Sequence, residues 1–268
     1  MQSPNSFKKK SKIARVIENL QWCVANFKKI TPDSVPVNNL AFKSDGLFTQ
    51  QNSDCLNEPR FLRAYNLSLT VNDWRTELNM DMRWRYYIVC WFAEYVKHLE
   101  GDFVECGVYR GGYSLALADY LQFNTLNKNF WLLDTFNGLV KQYLNPGEIK
   151  DGLYEKYEGR YEECYDAVVK TFAPYPNYKI IRGPVPDTLP ECRAEKICYL
   201  SIDMNITEPE IAAANYFWDK MVSGAVIVLD DYGFSAHINQ KIAFDNWVKE
   251  KNVRLLSLPT GQAIIFKP

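Results

Sequence analysis

The chain has 268 residues, 47% of them hydrophobic and 24% charged, with a formal net charge of -1 at pH 7. That length allows one substantial core plus an added segment, and the near-neutral balance lacks the basic excess of a nucleic-acid binder, which favours small-molecule chemistry. Seven cysteines without a Cys-x-x-Cys pair, with only two histidines, suggest neither a zinc site nor a disulfide framework; no apolar run approaches the ~20 residues that span a bilayer, and no signal-peptide hydrophobic region is seen, so a cytoplasmic protein with reduced thiols and no membrane span is expected.

In chain order, Lys8 to Ile30 follows a basic start with Ile13, Val16, Ile17, Leu20, Val24 and Phe27 at helical spacing. This predicts an amphipathic helix that packs on the same chain or on a second subunit. Thr31 to Thr76 is interrupted by Pro32, Pro36, Gly46 and Pro59 and reads as a cover for an active site. Met80 to His98 predicts a helix with Met82, Tyr86, Val89, Cys90, Ala93 and Val96 along one side and Asn79 or Asp81 as its cap. Residues 1–100 are therefore expected to form a helical extension and lid, and residues 101–268 the domain that binds ligand.

Gly101-Asp-Phe-Val-Glu-Cys-Gly-Val-Tyr-Arg-Gly-Gly112 is the centre of that domain. Phe103 to Cys106 reads as a buried strand, Gly107 to Gly112 as a turn and Tyr113 to Phe123 as a helix, which together make a ligand cradle. Glycine suits such a turn because the backbone bends sharply and comes close to its ligand. The spacing departs from Gly-x-Gly-x-x-Gly, with Val108 and Tyr109 where a pyrophosphate wants bare backbone, so an NAD-linked oxidoreductase is the weaker reading. Glu105 fits a ligand carrying an amino group or sulfonium better than one carrying two phosphates. S-adenosylmethionine has those features.

Phe130 to Asp134 is the next strand. An acid at its tip, roughly 20 residues beyond the glycines, is placed to accept hydrogen bonds from two ribose hydroxyls; a loop or cap role for Asp134 is the alternative. Val140 to Gly159 shows little periodicity and is expected to be a long connection serving as a lid. Tyr161 to Phe172 predicts a helix and Tyr178 to Arg182 a strand, closed by Gly183-Pro-Val-Pro-Asp187. Lys196 to Ile202 and Gly224 to Leu229 are further strands, ending in Asp203-Met-Asn205 and in Asp230-Asp231-Tyr232, with a helix opened by Glu208-Pro209 between them. Ile238 to Lys251 is a last helix, and Val253 to Leu256 with Ala263 to Phe266 form a closing hairpin. The alternation predicts an α/β, Rossmann-like, mostly parallel sheet with one antiparallel strand near the C-terminus and helices on both faces.

The ordered set Val104-Glu-Cys-Gly-Val-Tyr-Arg-Gly-Gly112, Leu133-Asp-Thr-Phe-Asn-Gly-Leu139, Gly183 with Asp187-Thr-Leu-Pro190, Asp203, Glu208-Pro209 and Asp230-Asp231-Tyr232 resembles the macrocin O-methyltransferase (TylF-type) family of class I S-adenosylmethionine-dependent enzymes. The resemblance runs from about Gly101 to the C-terminus. It implies methylation of a hydroxyl, often on a sugar, with magnesium as the usual cation and a homodimer or larger assembly. It places Glu105, Gly107, Asp134 and Asp203 at the cofactor, with Arg110, Gly111, Ser114 and the Gly183 to Asp187 loop lining it. It further implies Asp203, Asp230 and Asp231 as metal ligands and Asp203 as the base. Three gathered carboxylates suit a hard ion such as Mg²⁺. His237 is an alternative base.

Two features qualify this reading. Asn205 and Thr207 stand where the family's Asp-x-Asp-x-Tyr-Glu pattern has Asp and Tyr, removing one charge. Asp230 and Asp231 can share an ion only if their strand has already ended, since successive strand residues point to opposite faces. A non-catalytic scaffold that keeps the cofactor fold is therefore carried alongside the enzyme. Trp74, Trp84, Tyr86, Tyr87, Tyr143 and Tyr154 are candidate sugar-stacking surfaces.

Overall fold

The computed structural model describes residues 40–71 and 78–268. The helix expected over Lys8 to Ile30 and the residue Trp74 lie outside the described residues. The chain divides into two compact units, residues 1–43 with 48–52 and residues 44–47 with 53–268. The described part of the smaller unit carries most of a two-stranded ladder, β1 (Phe42–Ser44) with β2 (Leu47–Thr49), closed by a hydrogen bond from Ala41 N to Thr49 O at 2.9 Å.

The larger unit begins with α1 (Pro59–Ser68), whose N-terminal amides at Arg60 and Phe61 donate to the Glu58 carboxylate. Next comes α2 (Arg83–Val96), in the same unit as the sheet. Its N-cap position is Met82, not Asn79 or Asp81; Asp81 sits one residue earlier and instead accepts the Arg83 N–H at 3.0 Å while pairing with the Arg83 side chain. The chain continues through β3 (Asp102–Cys106), α3 (Gly112–Tyr120) and β4 (Phe130–Asp134).

Two short helices, α4 (Pro146–Lys150) and α5 (Leu153–Tyr157), occupy the connection that the sequence leaves irregular. A five-residue helix completes too few turns to show a hydrophobic period, so its signal is local. Asn145 and Glu148 form a reciprocal capping box at the start of α4, and Gly152 at φ +63° turns the chain into α5.

Then follow α6 (Tyr165–Phe172), β5 (Tyr178–Arg182), β6 (Ile197–Ile202), α7 (Thr207–Trp218), β7 (Met221–Leu229), α8 (Ile238–Glu250), β8 (Leu255–Ser257) and β9 (Ala263–Phe266). The seven-stranded sheet has the order β5-β4-β3-β6-β7-β9-β8. All pairings are parallel except β7 with β9 and β8 with β9, so β9 alone runs against the rest, as the alternation of elements predicts. β7 starts earlier than its apolar run suggests. Ile197 opposes Met221 and Tyr199 opposes Val226, so β7 bulges there, and Gly224 supplies the φ of +84°.

The two sheet faces bury different chemistry. On one, Phe103 stacks on Tyr199 and meets Phe123 and Phe130 edge to face, beneath α3; Phe172 of α6 stacks on Tyr178, and Tyr86 of α2 packs against Tyr113. On the other, Val104, Leu133, Leu200, Ile227 and Ile265 pack with Phe217 and Trp218 of α7 and Phe244 and Trp247 of α8. Helices on both faces leave the carboxyl ends of the parallel strands as the open rim. The chain leaves β3 toward β4 and β5, then returns to the other side of β3 at β6. That reversal opens a crevice beyond the ends of β3 and β6, where ligands of open α/β sheets bind.

Candidate active site

A cavity of about 320 Å³ lies at this rim, within the range of small-molecule sites. Glu105, Gly107, Asp134, Asp203, Asp230, Asp231 and His237 all line it.

The turn after β3 is held open by its own backbone. Gly107 has φ +89°, and a Cβ there would meet the carbonyl oxygen of Asp203 at 1.9 Å, so only glycine lets the ends of β3 and β6 approach this closely. Gly107 N–H donates to Leu133 O and Asp203 N–H to Cys106 O, continuing the ladder past the strand ends. Tyr109 follows at φ +49°, an uncommon conformation for a bulky side chain. Asp134 holds it there, because its Oδ2 accepts the amides of Val108 at 2.6 Å and Tyr109 at 2.7 Å.

Its Oδ1 accepts the Phe136 N–H at 2.6 Å. The Thr135 hydroxyl stands 3.2 Å from Oδ1 but only 2.7 Å from Gly138 O, and its single hydrogen goes to the nearer acceptor. One acceptor position on Asp134 is therefore left over among the described residues, where the sequence alone suggests room for two ribose hydroxyls.

Five residues expected at the cofactor do not line the cavity. Ser114 donates its hydroxyl to the buried Glu105 carboxylate from beneath. Gly111, at φ +83°, is required by the Phe172 ring, which an added Cβ would meet at 2.5 Å. Arg110 lies over the Tyr109 ring and faces Glu162 at 3.7 Å. Gly183 makes room for the Thr188 methyl, and Asp187 accepts the Tyr143 hydroxyl at 2.7 Å. Their loop contributes Pro184 and Val185 to the wall in their place.

β7 ends at Leu229, so Asp230 and Asp231 escape the alternation of strand faces. Carboxylate oxygens of Asp203, Asp230 and Asp231 lie within 4.8 Å of one another. Asp230 is held on both oxygens: its Oδ2 takes Arg85 Nη1 at 2.6 Å, and its Oδ1 takes the Tyr113 hydroxyl at 2.9 Å and Gln262 Nε2 at 3.0 Å. Arg85 also forks onto Asp45, with Nε to Oδ2 at 2.7 Å and Nη2 to Oδ1 at 3.1 Å. Burial works against its charge, but Asp230, Tyr113 and Asp45 outweigh it and hold its pKa well above the ordinary value.

A further buried carboxyl stands beside these acids. Glu210, fully buried on α7, has its pKa raised well above 4.5, first by burial and next by the charge of Asp231. Its Oε1 accepts the amides of Met204 at 3.0 Å and Asn205 at 3.1 Å and Gln240 Nε2 at 2.6 Å, which fixes the loop carrying Asp203. Asn205 takes φ +63° in that loop, and its Nδ2 stands 3.3 Å from Asp203 Oδ1. Asn tolerates this backbone conformation better than most residues, which gives Asn205 a local role of its own.

A pH prediction follows from Glu210. Its folded pKa lies above its unfolded one, so its contribution to stability is complete below about pH 4.5 and is lost as pH rises through the folded value. Glu210→Gln keeps an oxygen acceptor for the three donors and removes the titration. Thermal melts from acid to mildly alkaline pH should show the variant gaining on the wild type as pH rises. Parallel curves would contradict this.

His237 is buried, with Nε2 2.8 Å from the Tyr157 hydroxyl and Nδ1 without a partner. Burial, followed by the charge of Asp231, pushes the Tyr157 pKa up to about 12, so Tyr157 keeps its proton at neutral pH, and the imidazole tautomer sets which of the two groups donates in the bond to His237. Tyr157 stacks on Tyr161, which meets Tyr109 edge to face, and these rings line the mouth of the cavity. Of the aromatics singled out in the sequence, Tyr143 lines it, whereas Trp84, Tyr86, Tyr87 and Tyr154 do not.

Sequence reasoning passes over Arg85, Asp45, Tyr157 and Glu210. Arg85 did leave a signal, since it falls three residues after Met82 and four before Val89 on the apolar side of α2. A charge inside an apolar stripe marks a buried pair. Asp45, Tyr157 and Glu210 carry no comparable local mark.

Comparison with known proteins supplies the relatives. A family model described as macrocin-O-methyltransferase (TylF) matches residues 85–255. A Streptomyces olivaceus protein, 8-demethyl-8-(2,3-dimethoxy-alpha-L-rhamnosyl)-tetracenomycin-C 4'-O-methyltransferase, is 22% identical over 142 residues, covering 51% of this chain and 54% of that protein. The chain thus spans about half the length of the curated relative it matches. Among solved structures, the O-methyltransferase NovP aligns with a TM-score of 0.61 at 21% identity, covering 68% of this chain and 79% of its own. The calicheamicin methyltransferase CalS11 aligns over 99% of both chains with a TM-score of 0.53 at 15% identity. At these identities the structural likeness speaks for the fold, which is the Rossmann-like class I methyltransferase fold.

Proposed function

Because the chain belongs to the macrocin O-methyltransferase (TylF) family, we propose that it is an S-adenosylmethionine-dependent O-methyltransferase acting on a hydroxyl of a sugar or sugar-bearing small molecule. The observation that carries this reading is the convergence of Glu105, Gly107 and Asp134 with Asp203, Asp230 and Asp231 around one cavity at the strand reversal. The Streptomyces olivaceus relative, matched only in part, is named for methylating a rhamnosyl-bearing tetracenomycin, which supports a sugar-bearing acceptor.

The residues present fit both groups that the family implies. Gly107 leaves backbone bare where a ligand passes, Asp134 offers one acceptor to a ribose hydroxyl, and the Glu105 carboxylate favours a cationic group. S-adenosylmethionine, when bound, supplies an electrophilic methyl on a sulfonium. For a divalent ion, the all-oxygen set of Asp203, Asp230 and Asp231 is the right donor chemistry. Mg²⁺, when bound, supplies a Lewis acid that lowers the pKa of a hydroxyl.

The chain's own residues then divide the work. Asp203 is the base that takes the acceptor proton, fixed by the Glu210-held loop and by the ladder bond from its amide to Cys106 O. Tyr157, Tyr161 and Tyr109 supply flat apolar surface for a sugar ring and exclude water from the cavity mouth. His237, held by its bond to the Tyr157 hydroxyl, is placed to meet an acceptor hydroxyl through its second nitrogen, not to compete with Asp203 for the first proton.

Calorimetric titration with S-adenosylhomocysteine tests the reading directly. Saturable binding is expected, and no binding at millimolar ligand would remove it. With a turnover assay on glycosylated acceptors in hand, EDTA should suppress methyl transfer and Mg²⁺ restore it. Unchanged rates in chelator would leave methyl transfer standing and eliminate the cation.

A further inference from the structure

We propose that Arg85 is a built-in counter-cation of the acidic centre: it occupies Asp230 and thereby sets how tightly this site holds a divalent ion. The inference rests on the reading of Asp203, Asp230 and Asp231 as a cation site and concerns what this chain adds to it.

Three observations carry it. First, Arg85 is only 7% exposed, so the cost of burying its charge is offset by carboxylates nearby. Second, its guanidinium uses all three nitrogens on two acids, Nη1 at 2.6 Å from Asp230 Oδ2 and the fork of Nε and Nη2 on Asp45, while its plane lies 4.3 Å from the Phe234 ring centre. Such a clamp is rigid and is not dismissed by a small rotamer change. Third, the other oxygen of Asp230 already accepts from Tyr113 and Gln262, so both of its oxygens are held by donors of this chain. Arg85 shares its single charge between Asp45 and Asp230, so part of the negative charge of Asp230 is offset at contact distance.

A positive charge a few ångströms from an entering divalent ion opposes it directly, and in a low-dielectric wall that repulsion is weakly screened. Asn205, whose uncharged Nδ2 stands 3.3 Å from Asp203 Oδ1, adds no negative charge to the centre. The consequence is a site tuned for weak, exchangeable cation binding, with Arg85 maintaining the geometry of Asp230 when no ion is held. Arg85 also ties the Asp45 turn to the cavity wall, so the clamp keeps that wall in place without metal.

The test measures Mn²⁺ binding by electron paramagnetic resonance on the full chain, with Mg²⁺ as competitor, for wild type, Arg85→Gln and Arg85→Lys. Arg85→Gln should bind Mn²⁺ at least about tenfold more tightly than wild type, and Arg85→Lys, which keeps the charge, should stay near wild type. The melting temperature of Arg85→Gln should also rise more steeply with added Mg²⁺. If Arg85→Gln alone fails to fold, the double variant Asp45→Asn with Arg85→Gln removes both partners of the outer ion pair and is read in the same way. Unchanged or weaker Mn²⁺ binding without Arg85 overturns the proposal, since it would make Arg85 a mere orienting group for Asp230. Absence of Mn²⁺ binding in every protein overturns it too. Binding of S-adenosylhomocysteine, measured in the same samples, separates either failure from failure of the methyl-transfer reading.

Discussion

Replacing Gly107 with alanine is expected to abolish binding of S-adenosylhomocysteine and to cost roughly 2–6 kcal/mol of stability, the sum of a strained backbone and an overpacked contact. The backbone term arises because φ is +89° there, in a region that L side chains rarely adopt. The packing term arises because the added methyl would stand 1.9 Å from the Asp203 carbonyl oxygen, and the atom in the way belongs to backbone at the end of a buried strand. Relief requires the ends of β3 and β6 to part, which would move Asp203 and open the hydrogen bond from its amide to Cys106 O. The measurement is paired: thermal or urea unfolding for stability and calorimetry for the ligand. A variant that folds and binds like wild type would show that this crevice is not the cofactor site.

Asp203→Asn is expected to lower kcat by about 10²–10⁴-fold, the range for loss of a positioned general base. The change is isosteric and keeps an oxygen acceptor for Asn205 Nδ2, and Glu210 holds the backbone amides of the loop around Asp203, so melting should stay close to wild type. Affinity for S-adenosylhomocysteine should change little by comparison. A kcat within a few-fold of wild type would shift the base to His237, which stands in the same cavity with one nitrogen unpartnered. Combining the two substitutions then distinguishes a shared proton path from independent roles, since residues acting as one unit are strongly non-additive.

How these residues come together was partly legible in the sequence. Strands β4, β5 and β9 fall where the apolar runs place them, and the reversed strand follows from the closing hairpin. Gly107, Glu105, Asp134 and the three aspartates were readable because each sits at the end of a strand, and strand ends in a parallel sheet share one rim. The helices α4 and α5 were not readable, being too short for periodicity and set by a capping box and a positive-φ glycine. Glycines were the least transparent. Gly111 and Gly183 carry the family pattern as firmly as Gly107, yet they accommodate Phe172 and Thr188, and of these three Gly107 alone borders the cavity.

The sequence by itself determined the layered sheet, the crevice at its reversal and the identity of the acids at the rim, because all of these arise from local patterns of strand, turn and helix. Only the tertiary structure decided what each acid is free to do. Asp134 spends most of its acceptors on the turn it faces, and Asp230 is bound by an arginine 145 positions away in the chain. The physical reason is that a carboxylate's availability depends on which donors surround it in space. Those donors come from elements that the order of residues does not bring near.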